Sequence, residues 1–174
     1  MSKKAIREWV EVILGHEGGF TQNPEDDGNW TGGNKGSGEL KGTNWGISAA
    51  AYPELDIRNL TKEQAVDIYE QDYAEPLGLE RFNPVVAIQL LDYAVNSGVS
   101  AASKGLQRAL GGLALDGVIG PKTIARYKEY RPRTVAYLLS AERLLYMTKL
   151  SGWPYFGRGW ARRIAANIRI VAGG

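Results

Sequence analysis

Asn83-Pro84 opens the run Val85, Val86, Ile88, Leu90, Leu91, Tyr93 and Val95, which stops near Gly98, and this stretch constrains the fold more than any other. Asparagine caps helices, and proline suits the first helical position. The apolar residues that follow lie almost all round a helix, and such a helix is stable only when other elements cover it on every side. The spacing therefore predicts a buried central helix wrapped by further helices.

The rest of the chain supplies them. Ser2 can cap a helix with Ile6, Trp9, Val10, Ile13 and Leu14 on one stripe, and Gly18 offers a left-handed end to it. Thr61 to Gln64 forms a capping box ahead of Ala65, Ile68, Tyr69 and Tyr73. Further helices are predicted from a Ser100 cap to Gly111, from Pro121 onward, over 134–150 and over 157–172. Between the first two helices, from Thr21 to Thr43, the chain is rich in Gly, Asn, Asp and Thr with no helical period, so it reads as a long loop or a small irregular β-hairpin. Long loops inside compact domains are usually functional or mobile. No segment repeats with a period of a solenoid, so the fold class is mainly α.

Composition closes several routes to chemistry. The chain has 174 residues, no cysteine and one histidine, which excludes disulfides, thiolate nucleophiles and cysteine-ligated zinc. No run is long and apolar enough to span a membrane, and the amphipathic start is unlike a secretory signal, so synthesis in the cytoplasm is expected. The net charge of +2 hides an asymmetry: residues 1–100 hold 8 Lys and Arg against 16 Asp and Glu, residues 101–174 hold 13 against 3. A basic half faces an anionic partner or simply complements the acidic one.

Glu17 stands where the first helix runs into Gly18-Gly19-Phe20. A carboxylate at the negative end of a helix dipole, beside a partly apolar wall, keeps its proton more readily and can act as a general acid. Three acids follow in Asn23-Pro24-Glu25-Asp26-Asp27-Gly28, near enough for one of them to face Glu17 across a cleft. Glycoside hydrolysis needs such a pair, one acid to protonate the leaving oxygen and one carboxylate to activate water or stabilise charge on the sugar. Thr43, ahead of Trp45-Gly46-Ile47-Ser48, can hold the attacking water with its hydroxyl. Trp30, Trp45 and Tyr52 flank the proposed cleft, and one or two of them are expected as platforms for sugar rings.

Other readings of these residues fail on supply. Asn23, Glu25, Asp27 and Gly28 start like a calcium loop, but Asn34 stands where its bidentate Glu belongs. His16-Glu17 resembles the opening of a zinc-protease helix, yet Phe20 occupies the second histidine's position and no other histidine exists. His16 is expected to pack or to support the site. No metal and no cofactor are expected.

Taken together, Glu17-Gly18-Gly19-Phe20, Asn23 to Gly28, Gly42-Thr43-Asn44-Trp45-Gly46-Ile47-Ser48 and Leu60 to Ala65 resemble the glycoside hydrolase 108 family of bacterial and phage muramidases. Ala94 to Gly98, Leu106-Gln107-Arg108-Ala109-Leu110-Gly111 and Asp116 to Thr123 resemble the peptidoglycan-binding region often found C-terminal to that domain. The resemblance implies a lysozyme-like fold with a small irregular β or loop region after the first helix. It implies a catalytic lobe over 1–82 and a helical peptidoglycan-binding lobe over 83–174, packed on the first. It also implies hydrolysis of the β-1,4 bond between N-acetylmuramic acid and N-acetylglucosamine. The essential glutamate then falls on Glu17, the second carboxylate on Asp26 and the water-holding hydroxyl on Thr43, with Asn96, Gln107 and Asp116 among the wall contacts. The stretch between Asp26 and Thr43 is long and rich in glycine, Gly28 to Gly42, where the resemblance leads one to expect a shorter one.

The expected partner is bacterial peptidoglycan, met by a monomer in the periplasm or wall after release through a holin or a dedicated route. Nucleic acid is not expected, because the organised motifs lie in the acidic half. Trp160, Ile164, Ile168 and Val171 form one stripe of the last helix, with Arg158, Arg162 and Arg169 opposite. That helix is expected first to pack on the one before it, and secondarily to make a weak anionic envelope contact. Two alternatives stand beside hydrolysis: a non-catalytic wall-binding module, and a lytic transglycosylase or chitinase-like enzyme.

Overall fold

The computed structural model describes residues 2–16 and 19–173. Glu17 and Gly18 lie outside the described residues, and with them the expected general acid and the left-handed helix end. The side chain of His16 lies outside them as well. Among the described residues the elements are α1 (Lys3–His16), a short hairpin of β1 (Thr43–Asn44) and β2 (Ile47–Ser48), α2 (Lys62–Tyr69), α3 (Glu75–Leu77), α4 (Pro84–Ser97), α5 (Val99–Leu110), α6 (Pro121–Tyr127), α7 (Pro132–Met147) and α8 (Trp153–Gly173). The class is mainly α with a small β region, as the periodicities predict. The chain divides into two compact units, Arg7–Gln71 and Met1–Ile6 with Asp72–Gly174.

In the unit Arg7–Gln71, α1 and α2 lie side by side. Val10, Ile13 and Leu14 are buried on α1, and Ala65, Val66 and Tyr69 on α2. Arg7 donates to Asp67 at 2.7 Å and to Glu70 at 2.6 Å, while Lys62 reaches Glu11 at 3.2 Å. Arg7 and Glu70 are half-buried and the other partners exposed, so each pair adds little. The capping box forms as expected: Thr61 Oγ1 accepts the Gln64 N–H at 3.2 Å, and Gln64 Oε1 accepts the Thr61 N–H at 2.9 Å.

In the other unit α4 is the buried helix that its apolar run requires, and α5, α7 and α8 pack against it. It is not wholly apolar inside. Asp92 is buried and accepts from Arg143 Nη1 at 2.5 Å, Arg163 Nη2 at 2.7 Å and Asn167 Nδ2 at 2.6 Å, so one carboxylate joins α4 to α7 and α8. Burial pushes this carboxyl up, but the Arg163 hydrogen bonds and the charge of Arg143 outweigh it and hold Asp92 below the usual carboxylate range. Gln89 extends the network, donating to Asn167 O at 3.1 Å and accepting from Ser140 Oγ at 3.2 Å.

Three helix starts differ from the sequence reading, α7 beginning at Pro132 where 134 is predicted. Gly98 closes α4 and is itself the N-cap of α5, so Ser100 falls inside the first turn instead of capping it. The last helix begins at Trp153 and not near Gly157, because Pro154 sits in its first turn, where no amide hydrogen is needed. As expected, α8 packs on α7. Its Ile164 and Val171 are buried, whereas Ile168 is part of the exposed surface.

Candidate functional site

The loop after α1 is built from backbone pairs and one buried side chain. Thr21 and Thr43 exchange both backbone hydrogen bonds, at 2.9 and 2.8 Å, and Trp30 bridges Leu40 further along. Asp26 caps a single 3-10 turn, Asp27–Asn29, by accepting the Gly28 N–H at 2.9 Å. That turn delivers Asn29 into the interior, where its exposure is 0%. Asn29 Nδ2 donates to Asn23 O at 2.9 Å, its Oδ1 accepts the Thr43 hydroxyl at 2.7 Å, and its carbonyl accepts the amides of Lys41 and Gly42 at 3.0 Å each. Asn29 N–H in turn donates to Asp26 O at 3.1 Å. Asp26 and Thr43 are therefore tied to one another through Asn29.

This network fixes what Thr43 can do. Because the Asn29 amide nitrogen is committed to Asn23, its oxygen faces Thr43, and the Thr43 proton points at that oxygen. The remaining lone pairs of the hydroxyl can only accept, which suits a group that orients a water by one of its hydrogens.

The three acids of the loop are distinguished by their partners. Glu25 is ion-paired with Lys35 Nζ, and Asp27 Oδ1 accepts the Lys35 N–H at 2.8 Å. Asp26 uses Oδ1 on its cap and meets no cation among the described residues. It is exposed, with one carboxylate oxygen left for a ligand.

The hairpin pairs Thr43 with Ser48 and Asn44 with Ile47, leaving Trp45 and Gly46 as its two turn residues. Both have positive φ, 54° and 74°, the geometry of a type I′ turn. Tryptophan is a costly residue there, by about 1 kcal/mol. It is held by Nε1–H donating to Leu60 O at 3.1 Å and by its carbonyl accepting the Tyr69 hydroxyl at 3.3 Å. Trp30 is half-buried, with Nε1–H on Pro24 O at 2.9 Å, and Tyr52 is half-buried with its amide on Ser48 O at 3.0 Å. All three aromatic residues belong to this unit, and the two indole N–H groups pin its loops.

Gly42 explains how Phe20 fits. With φ of 91°, a Cβ here would lie 2.4 Å from Thr21 O and 2.9 Å from the Phe20 ring. Arg58 covers the same ring at 4.9 Å and donates to Gln22 Oε1 at 2.8 Å. Beside them opens a polar cleft of about 380 Å³, lined among others by Gln22, Glu39, Lys41, Asp56 and Arg58. The Asn59 side chain and amide, with the charges of Lys41 and Arg58 behind them, hold the Asp56 carboxyl below its usual range.

The remaining sequence-derived candidates lie in the other unit. Gln107 and Asp116 are brought together: Gln107 Nε2 donates to Asp116 Oδ1 at 2.6 Å and Val118 O at 3.0 Å, and its Oε1 accepts the Gly117 N–H at 3.0 Å. Gln107 is buried, and both its amide hydrogens and its amide oxygen are engaged in closing the loop between α5 and α6. The Val118 N–H and the Gln107 amide lower the Asp116 carboxyl below its ordinary value. The closed loop borders a mainly apolar pocket of about 350 Å³ that includes Leu113, Val118 and Pro121. Asn96 stands apart from that pair, exposed on the last turn of α4, with Oδ1 accepting from Arg143 Nη2 at 3.4 Å.

Asn29, Gln22 and Arg58 were not among the sequence candidates. An Asn between Gly28 and Trp30 in a polar loop carries no local sign of burial, because its partners come from Asn23 and from Thr43, fourteen residues on.

The family model described as glycosyl hydrolase 108 matches residues 10–98. Among solved structures, SagA of Brucella abortus is similar, with a TM-score of 0.82 and 27% identity over 99% of this chain and 96% of that one. The fold is accordingly lysozyme-like, mainly helical with a small two-stranded sheet. No curated protein matches the chain.

Proposed function

Because the chain belongs to the glycosyl hydrolase 108 family, a family of peptidoglycan hydrolases, we propose that it is an N-acetylmuramidase that cleaves the β-1,4 bond between N-acetylmuramic acid and N-acetylglucosamine. The observation that carries this reading is the Asp26–Asn29–Thr43 arrangement, which lies within the matched residues, ties the Asp26 backbone to Thr43 through Asn29, and leaves one carboxylate oxygen of Asp26 and the lone pairs of the Thr43 hydroxyl uncommitted.

Glu17, next in sequence after the last residue of α1, donates its proton to the leaving glycosidic oxygen as the C1–O bond breaks. Asp26 stabilises the positive charge that develops on the sugar or takes the proton of the incoming water, and Thr43 holds that water by accepting one of its hydrogens. One or two of the half-buried Trp30, Trp45 and Tyr52 present ring edges or faces to the sugars. Residues 1–82 serve as the catalytic lobe and 83–174 as a wall-binding lobe, in which Asn96, Gln107 and Asp116 shape the contact surface. The enzyme works as a monomer on peptidoglycan, in the periplasm or wall after release, as an endolysin or a secretion-associated hydrolase.

The test is digestion of purified peptidoglycan with mass analysis of the products. Wild type is expected to give reducing muropeptides, Glu17→Gln to keep its circular dichroism and release none, and Asp26→Asn and Thr43→Val to lower turnover more than stability. A folded, fully active Glu17→Gln removes the acid assignment. Anhydro sugars identify a transglycosylase, and sedimentation with walls that are never cleared identifies a binding module.

A further inference from the structure

The outer face of α8 is a basic strip with an aromatic end. Arg158, Arg162 and Arg169 are exposed, as is Tyr155, and at 3.6 residues per turn the four fall within about 60° of one another over roughly 20 Å of helix. Ile164, Asn167 and Val171 face inward on the opposite side. No Asp or Glu occurs after Glu142 in the sequence. Of the basic residues that follow, Arg143 and Arg163 are committed to Asp92, whereas Arg158, Arg162 and Arg169 form no ion pair among the described residues.

The N-terminal end of the strip is apolar and far more exposed than packing requires. Tyr155 is 83% and Phe156 61% exposed, although Phe156 belongs to a ring cluster with Trp160 at 5.9 Å, and Trp160 with Trp153 at 6.2 Å. Rings with one polar edge that stand at the rim of a cationic face are the composition of a surface that rests at a lipid headgroup layer. No helix among the described residues is long and apolar enough to cross a membrane.

We propose that this face of α8 docks on an anionic phospholipid bilayer, with Arg158, Arg162 and Arg169 on the lipid phosphates and Tyr155 at the headgroup and acyl boundary. Charge complementarity selects the anion, since a row of guanidinium groups with no carboxylate partner among the described residues meets phosphate oxygens bidentately. The aromatic end selects a bilayer over a free phosphate polymer, which gives a phenyl ring nothing to enter. The inference stands on α8 alone and holds whether or not the chain hydrolyses peptidoglycan.

Flotation with phosphatidylglycerol-containing vesicles and with pure phosphatidylcholine vesicles tests it, using the full chain. Binding is expected on the anionic vesicles and to fall with added salt; each arginine contributes about fivefold, so Arg158→Ser, Arg162→Ser and Arg169→Ser combined lose about a hundredfold. Tyr155→Ser is expected to weaken binding several-fold, and brominated lipids to quench the added fluorescence of a tryptophan placed on this face by Tyr155→Trp. All four side chains are exposed, so circular dichroism and melting should match wild type. Equal binding to both vesicle types, no binding to either, or wild-type binding by the triple variant overturns the proposal. So does a lack of bromolipid quenching combined with tight binding to polyphosphate or DNA that Tyr155→Ser leaves intact. Wall lysis is scored separately, which keeps failure of the hydrolase reading distinct from failure of this one.

Discussion

Asn29→Ala is the most informative perturbation of the loop. It removes a side chain with no exposure, and with it the 2.7 Å bond from the Thr43 hydroxyl and the 2.9 Å bond to Asn23 O. Each lost bond leaves a partner unpaired in a part-buried place, and the two together should cost about 2–4 kcal/mol. With a urea dependence of about 1–3 kcal/mol per molar, the unfolding midpoint should drop by about 1–2 M. Thr43→Val, which keeps the shape but loses the hydroxyl, should cost less. The double variant should then show a coupling of about 1 kcal/mol between the two sites, and tryptophan fluorescence can follow the transition, since Trp30 lies next to Asn29 in sequence. The kinetic consequence is separable. Asn29 is buried and cannot touch a substrate, so its loss should leave KM nearly unchanged while kcat falls about tenfold or more as the Thr43 hydroxyl loses its fixed direction. Additivity within about 0.3 kcal/mol in the cycle would refute the claim that this hydrogen bond organises the loop. A raised KM with unchanged kcat would refute the orienting role of Thr43.

Two further predictions concern the other unit. Asp92→Asn strips the counter-charge from buried Arg143, 2% exposed, and should destabilise by about 3–5 kcal/mol at neutral pH. Since the folded Asp92 carboxyl is depressed, its contribution is fully present above the unfolded value of about 3.9 and fades as pH falls through the lower folded value, so wild-type stability should fall in that acid window and the variant's should not fall in parallel. Parallel urea midpoints across pH for the two proteins would show that Asp92 is not the carboxylate responsible. Gln107→Ala should accelerate hydrogen exchange at the Gly117 amide, which donates to Gln107 Oε1 at 3.0 Å, and lower stability by about 1–2 kcal/mol. An unchanged exchange rate there would mean that the loop closes without this glutamine.

What the sequence makes legible here is what is decided locally. Thr61 and Gln64 satisfy each other across three residues, and Asn83 caps the turn that Pro84 begins, so α2 and α4 can be placed from spacing alone. The same locality misleads at Ser100, a good cap that is not used because Gly98 already ends one helix and starts the next. Hydropathy misleads on α4. Asp92 sits in a run otherwise fit for a core, and what permits it is Arg143 and Arg163, 51 and 71 residues away. No periodicity within α4 can report those partners, although the excess of arginine in the C-terminal half is the sign that cations were available.

The site shows the same division at closer range, and it decides which acid to test. By spacing alone Glu25, Asp26 and Asp27 are equivalent candidates, since all three stand within ten residues of Glu17 in a polar loop. Their difference arises when Lys35 folds back, its ammonium on Glu25 and its amide on Asp27. That return depends on the bridge between Trp30 and Leu40 and on the Asn29 carbonyl gathering Lys41 and Gly42, none of which is a local property of the acids themselves. The long glycine-rich segment from Gly28 to Gly42 is thus the element that engages two of the three carboxylates and leaves the third open. Shortening it should therefore do more than change a loop. It should release Glu25 and Asp27, and any functional distinction between Asp26 and its neighbours should narrow with it.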